Sequence, residues 1–157
     1  MLQSIDSSTR NRWEIDTKKF TLKNPKFDEA VSSLMEIVQK ELMCSKNVEF
    51  SLQKLLLCGE GCFSNPHREI KKDDGIFASV MVQLPSILKG GQLIIKHAGK
   101  ETAVKFGSKL APYNVMYAGF YAECEHEVKP IKSGYSLALV YNLYWHGKGK
   151  PPSLTCD

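Results

Sequence analysis

The chain has no run approaching the ~20 consecutive apolar residues that a membrane-spanning helix needs. It also lacks the shorter apolar stretch of a secretory signal, because Met1 to Glu14 is mostly polar and charged. Asp6, Glu14 and Asp16 argue against an Arg-rich, acid-poor transit segment. Strong charge of one sign is missing too: 21 Lys+Arg against 17 Asp+Glu leave a net charge of +4. That is too little to mark a dedicated nucleic-acid or membrane-surface binder, and neither partner is expected. No internal repeat or low-complexity tract is present. Cysteine is sparse and odd in number: Cys44, Cys58, Cys62, Cys124 and Cys156. Without a secretory signal, these are expected to be reduced thiols of a cytoplasmic or nuclear protein.

What is there is ordinary globular material. Hydrophobic residues make up 43% and charged residues 24% of 157 residues, enough for one domain with a real core. Residues 1–24 read as a polar lead-in around an isolated cluster, Trp13-Glu14-Ile15. Residues 25–145 read as one domain, and residues 146–157, with Gly147, Gly149, Pro151 and Pro152, as a flexible tail. Asn24 as N-cap and Pro25 in the first turn announce a helix, with Asp28 and Glu29 at its positive end. Phe27, Val31, Leu34, Met35, Val38 and Leu42 form its apolar stripe, which ends near Cys44.

From Val48 onward the pattern changes to strands. They are expected over 50–58, 76–84, 92–97, 102–106, 115–121, 126–131 and 135–145, punctuated by Gly59-Glu60-Gly61, Pro85, Gly90-Gly91, Ala98-Gly99-Lys100 and Ser133-Gly134. One helix before a series of short strands predicts a mostly β (α+β) chain: a double-stranded β-helix, or jelly roll, with a supporting N-terminal helix.

Two histidines stand in chemically suggestive company. His67 and Glu69 are two residues apart, so in an extended segment they point to one face. His126 follows much later, on a different expected strand. Two imidazoles and one carboxylate make the facial triad that holds Fe(II) and leaves positions open for catalysis. Other residues read more plainly: His97 as a turn residue, His146 and Lys71-Lys72-Asp73-Asp74 as solvated, and Tyr113, Tyr117 and Tyr121 mostly as packing.

The stretch from Phe50 to Tyr144 resembles the catalytic domain of iron(II)/2-oxoglutarate-dependent dioxygenases of the prolyl 4-hydroxylase alpha-subunit type. The likeness rests on Leu55-Leu56-Leu57, Pro66-His67-Arg68, Asp74-Gly75-Ile76-Phe77, Leu84-Pro85-Ser86 and Gly90-Gly91-Gln92-Leu93. It continues through Cys124-Glu125-His126-Glu127-Val128, Ser133-Gly134-Tyr135 and Tyr141-Asn142-Leu143. The resemblance implies a jelly-roll fold and Fe(II) held by His67, Glu69 and His126. It also implies 2-oxoglutarate and dioxygen as co-substrates, ascorbate as an accessory reductant, and hydroxylation with release of succinate and CO2. A protein or peptide substrate, a prolyl peptide among the candidates, comes with it.

Two positions depart from the family pattern. Glu69 stands where the family has Asp, one methylene longer. Ser136, ten residues after His126, stands where the family has Arg or Lys for the far carboxylate of 2-oxoglutarate. Cofactor contact is therefore assigned to Ser136, with Lys132 or Lys96 as substitute cations. Two alternatives stay open: a jelly-roll binding module that has lost 2-oxoglutarate turnover, and a zinc-stabilised domain using Cys58, Cys62 and His67 with Cys124 or His126.

Overall fold

The computed structural model describes residues 3–4, 11–44, 47–69 and 75–154. Among these, the order along the chain is β1 (Gln3–Ser4), β2 (Arg12–Asp16), one 3-10 turn (Thr17–Lys19), α1 (Phe27–Glu41), β3 (Val48–Cys58), β4 (Ser64–His67) and β5 (Ile76–Gln83). There follow β6 (Leu88–Gly90), β7 (Leu93–His97), β8 (Lys100–Val104), β9 (Met116–Tyr121), β10 (Glu125–Val128), β11 (Ile131–Gly134) and β12 (Ser136–Trp145). Asp74, Cys156 and the Lys71–Asp74 turn expected from the sequence lie outside the described residues.

The strands form two facing antiparallel sheets. The larger runs β1-β2-β3-β12-β5-β9 and the smaller β4-β10-β7-β8, while β11 and β6 make a separate two-stranded ladder. This is the expected jelly roll. Alternation along β12 sorts its residues into two populations. Leu139, Tyr141 and Leu143 face α1, joining Val31, Met35 and Val38 in one buried cluster. Ala138, Val140 and Asn142 face the smaller sheet. There Leu93 and Phe106 pack with Ala118 and Phe120 in a second cluster. The helix thus covers the back of the larger sheet, and the space between the sheets is left for chemistry.

Several expectations change in detail. The helix begins at Phe27 rather than at Pro25, because Asn24 Oδ1 accepts from Lys26 N (3.1 Å) in a turn just before it. Part of the expected lead-in is a strand of the larger sheet: β2 pairs with β3 from Arg12↔Cys58 to Asp16↔Lys54. The reason is alternation, since Trp13 and Ile15 lie on one face of β2 and Arg12, Glu14 and Asp16 on the other. The expected tail is tied down in places. His146 N donates to Asn47 O (2.8 Å) and Leu154 N to Glu123 Oε1 (2.7 Å). Gly134, expected in a turn, closes β11 at φ +79°, and a Cβ there would lie 2.0 Å from Ile87 O, so only glycine fits. His97 ends β7 at the expected turn, a two-residue hairpin in which Ala98 and Gly99 both have positive φ. No helix among the described residues is long and apolar enough to cross a membrane.

Leu139 is fully buried at the junction of helix and sheet, whereas Ile87 is 77% exposed. Leu139→Ala is therefore expected to lower stability by roughly 2–5 kcal/mol in urea unfolding, and Ile87→Ala by about 0.5 kcal/mol or less. Equal losses for the two would contradict this placement of the core.

Candidate metal centre

β4 and β10 are antiparallel neighbours whose register sets His126 directly opposite His67. Opposed residues share a face, and here that face lines the cavity between the sheets, with His126 buried and His67 exposed. The two imidazole centroids are 4.1 Å apart. Glu69 lies two residues beyond His67, past the end of β4, and swings back to the same point. One ligand atom from each of His67, Glu69 and His126 lies within 4.8 Å of the others. The structure therefore brings together the three residues singled out as iron ligands. The extra methylene of Glu69 is accommodated because it projects from irregular chain rather than from a paired strand.

Each ligand is held by a neighbour. His67 Nδ1–H donates to Asn65 O (2.8 Å), which leaves Nε2 with its lone pair free. Glu69 Oε2 lies 3.2 Å from Ser79 Oγ, which is itself 3.3 Å from Asn142 Oδ1. Ser79 and Asn142 are both buried on the inner face of the larger sheet, so the carboxylate is steered from β5 and, behind it, β12. Phe120 packs against His126 with centroids 4.6 Å apart and the ring planes tilted by 45°. Burial, and next to it the proximity of His67, lowers the pKa of His126. The ring is thus neutral near pH 7 and its lone pair available. Nδ1 of His126 is buried and has no hydrogen-bond partner among the described residues. Two imidazoles, one of them with an unsatisfied buried ring nitrogen, and one carboxyl group fit a divalent cation well.

The remaining candidates fall elsewhere. Ser136 Oγ donates to Gln83 Oε1 (2.7 Å), and Gln83 is fully buried. Lys96 pairs in register with Glu125, on the face opposite that of His126, and its Nζ bonds Glu127 Oε1 (3.3 Å) and Glu101 Oε2 (3.5 Å). Lys96 is thus on the outside of the smaller sheet and does not serve the interior. Lys132 is exposed on the β11–β6 ladder. Tyr117 and Tyr121 point to the helix side, bonding Glu41 and Leu42 O, while Tyr113 is 80% exposed. Among the described residues Cys58, Cys62 and Cys124 join no group of three potential metal ligands, which removes the basis for the zinc arrangement. Cys58 and Cys62 are free thiols. Their mutual interaction holds Cys62 below the ordinary thiol range despite its burial and raises Cys58.

Two cations escaped the sequence reading. The cavity that holds the three ligands is also lined by Arg12 and Lys54, from β2 and β3. Glu14 bonds both, at 3.1 Å from Arg12 Nη2 and 3.0 Å from Lys54 Nζ. The polar Ser79 and Asn142 inside apolar strands were the legible signal for the carboxylate support. For Arg12 the alternation in β2 was the one clue.

No family model and no curated protein matches the chain. Solved structures do. A prolyl-4-hydroxylase of Pseudomonas putida superposes with a TM-score of 0.65 at 22% identity, covering 93% of this chain and 78% of that one. The viral collagen prolyl hydroxylase of Paramecium Bursaria Chlorella virus-1, in complex with 2OG, gives 0.55 at 16% identity, covering 88% and 82%. A Trichoplax adhaerens prolyl hydroxylase bound to a hypoxia inducible factor peptide gives 0.54 at 18% identity, covering 87% and 64%. The chain has the fold of the prolyl 4-hydroxylases and related 2OG-Fe(II) oxygenases.

If Ser79 steers Glu69, Ser79→Ala should weaken binding of a divalent probe such as Mn(II) about 10-fold, as loss of a ligand's supporting hydrogen bond typically does. An equilibrium titration followed by electron paramagnetic resonance reads this. Unchanged affinity in a folded Ser79→Ala protein would show that Glu69 needs no such support.

Proposed function

We propose that the chain is an Fe(II)- and 2-oxoglutarate-dependent dioxygenase that hydroxylates its substrate, with His67, Glu69 and His126 as the iron ligands. The observation that carries this reading is the convergence of three ligand atoms within 4.8 Å in the interior of a jelly roll. Iron bound there would supply activation of dioxygen, one oxygen atom ending in the succinate formed with CO2 from 2-oxoglutarate and the other in the substrate hydroxyl.

The residues around the ligands support that chemistry. Three protein ligands leave coordination positions open, as a reaction with two co-substrates requires. Asn65 and Ser79 fix the orientation of His67 and Glu69 before any ligand arrives. Leu56, Met81, Phe120 and Val140 give the cavity an apolar lining beside the ligands. A peptide substrate, prolyl peptides foremost, is proposed by analogy with the prolyl hydroxylases that share the fold, one of them bound to a peptide fragment. Ascorbate is proposed as the reductant that restores Fe(II). A reducing compartment, cytoplasmic or nuclear, suits the odd number of cysteines.

Metal content after anaerobic loading with Fe(II), together with succinate formation from 2-oxoglutarate, tests the proposal. The chain should bind one iron and form succinate. His67→Ala and His126→Ala should each abolish both, and Glu69→Asp should keep or improve iron affinity. Full iron stoichiometry in both histidine variants would overturn the ligand assignment. Iron binding without any succinate would favour the binding-module alternative.

A further inference from the structure

The inner face of the larger sheet carries a row that crosses three strands. Arg12 of β2 is in register with Cys58 of β3, and Cys58 with Ser136 of β12. Laterally paired residues share a face, so Arg12 and Ser136 look into the same interior, two strand spacings or about 10 Å apart. Ser136 is short and already committed to Gln83 Oε1 at 2.7 Å. Arg12 instead lines the cavity together with Lys54, and their side chains retain only 21% and 29% exposure.

Glu14 organises these two cations. It lies between them, is 19% exposed, and bonds both through Oε1. Burial alone would raise its pKa, but the hydrogen bonds and charges of Lys54 and Arg12 outweigh that and hold it low, so it is a carboxylate. Two cations and one anion leave a single positive charge on this wall. In the same cavity, a divalent ion held with Glu69 as its one anionic ligand would also leave a single positive charge. Such a cavity is complementary to a ligand that carries two negative charges.

We propose that Arg12, supported by Lys54, binds the far carboxylate of a 2-oxo-dicarboxylate co-substrate, replacing from β2 the cation that Ser136 does not supply on β12. This rests on the dioxygenase reading, and it names the residues that select a dicarboxylate over a monocarboxylate. The guanidinium suits the task, because its planar fork can grip a carboxylate through two parallel hydrogen bonds while Glu14 holds it from behind.

Calorimetry on the full chain loaded with Mn(II), which binds without turnover, tests this. The probes are 2-oxoglutarate and 2-oxopentanoate, which has the same chain length and no far carboxylate. The chain should prefer 2-oxoglutarate. Arg12→Met keeps the packing of the stem but removes the charge, and should weaken 2-oxoglutarate about 10- to 100-fold while leaving 2-oxopentanoate unchanged. Lys54→Met should act in the same direction by a smaller factor. Arg12→Lys, the variant to use if Arg12→Met does not fold, should fall between, because it keeps the charge and loses the fork. If Arg12 variants weaken both oxo acids equally, or neither, the inference is wrong while the dioxygenase reading stands. If the Mn(II)-loaded chain binds neither oxo acid, the dioxygenase reading itself fails.

Discussion

Everything at the centre hangs on the register of β4 against β10. His67 and His126 meet because they are directly opposed across one antiparallel pair. Side chains alternate with a period of two, so a slip of a single residue would turn His67 out of the interior while His126 stayed inside. The register is guarded on both sides. Ser64 Oγ accepts from Val128 N (2.9 Å) at the far end of the β4 pairing, and β10 is zipped to β7 over Glu125–Val128. The metal centre is therefore a consequence of how the smaller sheet pairs, and the larger sheet completes it by supplying Ser79 to Glu69 and Phe120 to His126.

The site is a patchwork of sequence-distant pieces, and this decides what could be read without the structure. The spacing of His67 and Glu69 is local, so the pair was legible in the sequence, although Glu69 reaches the site from irregular chain past β4 rather than by strand alternation. His126 was legible because it recurs late in a strand pattern of the right kind. Helix α1 was visible from its apolar stripe, with its start displaced by a turn at Asn24 that competes for the same backbone groups. Lys96 was misplaced for a simple reason: alternation says that neighbours face opposite ways, but not which of Ile95 and Lys96 faces inward. Only the pairing of Ile95 with His126 settles that. Arg12 and Lys54 were hidden more deeply, because their approach to the cavity depends on β2 joining β3, a pairing between segments about forty positions apart.

The departures from the family pattern have different structural meanings. Glu69 lies beyond the end of β4, where an additional methylene costs little and the Ser79 hydroxyl can catch the carboxylate. Ser136 sits in a regular strand, bonded to a fully buried Gln83 whose own Nε2 donates to Leu84 O and Leu137 O, at 3.1 Å each. That network satisfies every polar group in it and has no charge to offer. The positive charge of the interior comes instead from β2 and β3, where Glu14 holds two cations that would otherwise repel each other. Ser136 and Arg12 are far apart in sequence but stand in one register row of the same sheet.

The proposed iron site consists of two imidazoles and one carboxylate, with no sulfur, between the sheets. Cys58 and Cys62 line the same cavity and are the natural competitors, being soft donors close at hand. X-ray absorption at the iron edge, on the full chain loaded with Fe(II) without oxygen, separates the two. Iron held by His67, Glu69 and His126 should show only nitrogen and oxygen nearest scatterers, with the outer-shell signature of two imidazoles. A sulfur scatterer at about 2.3 Å, the distance typical of a metal–thiolate bond, would contradict it.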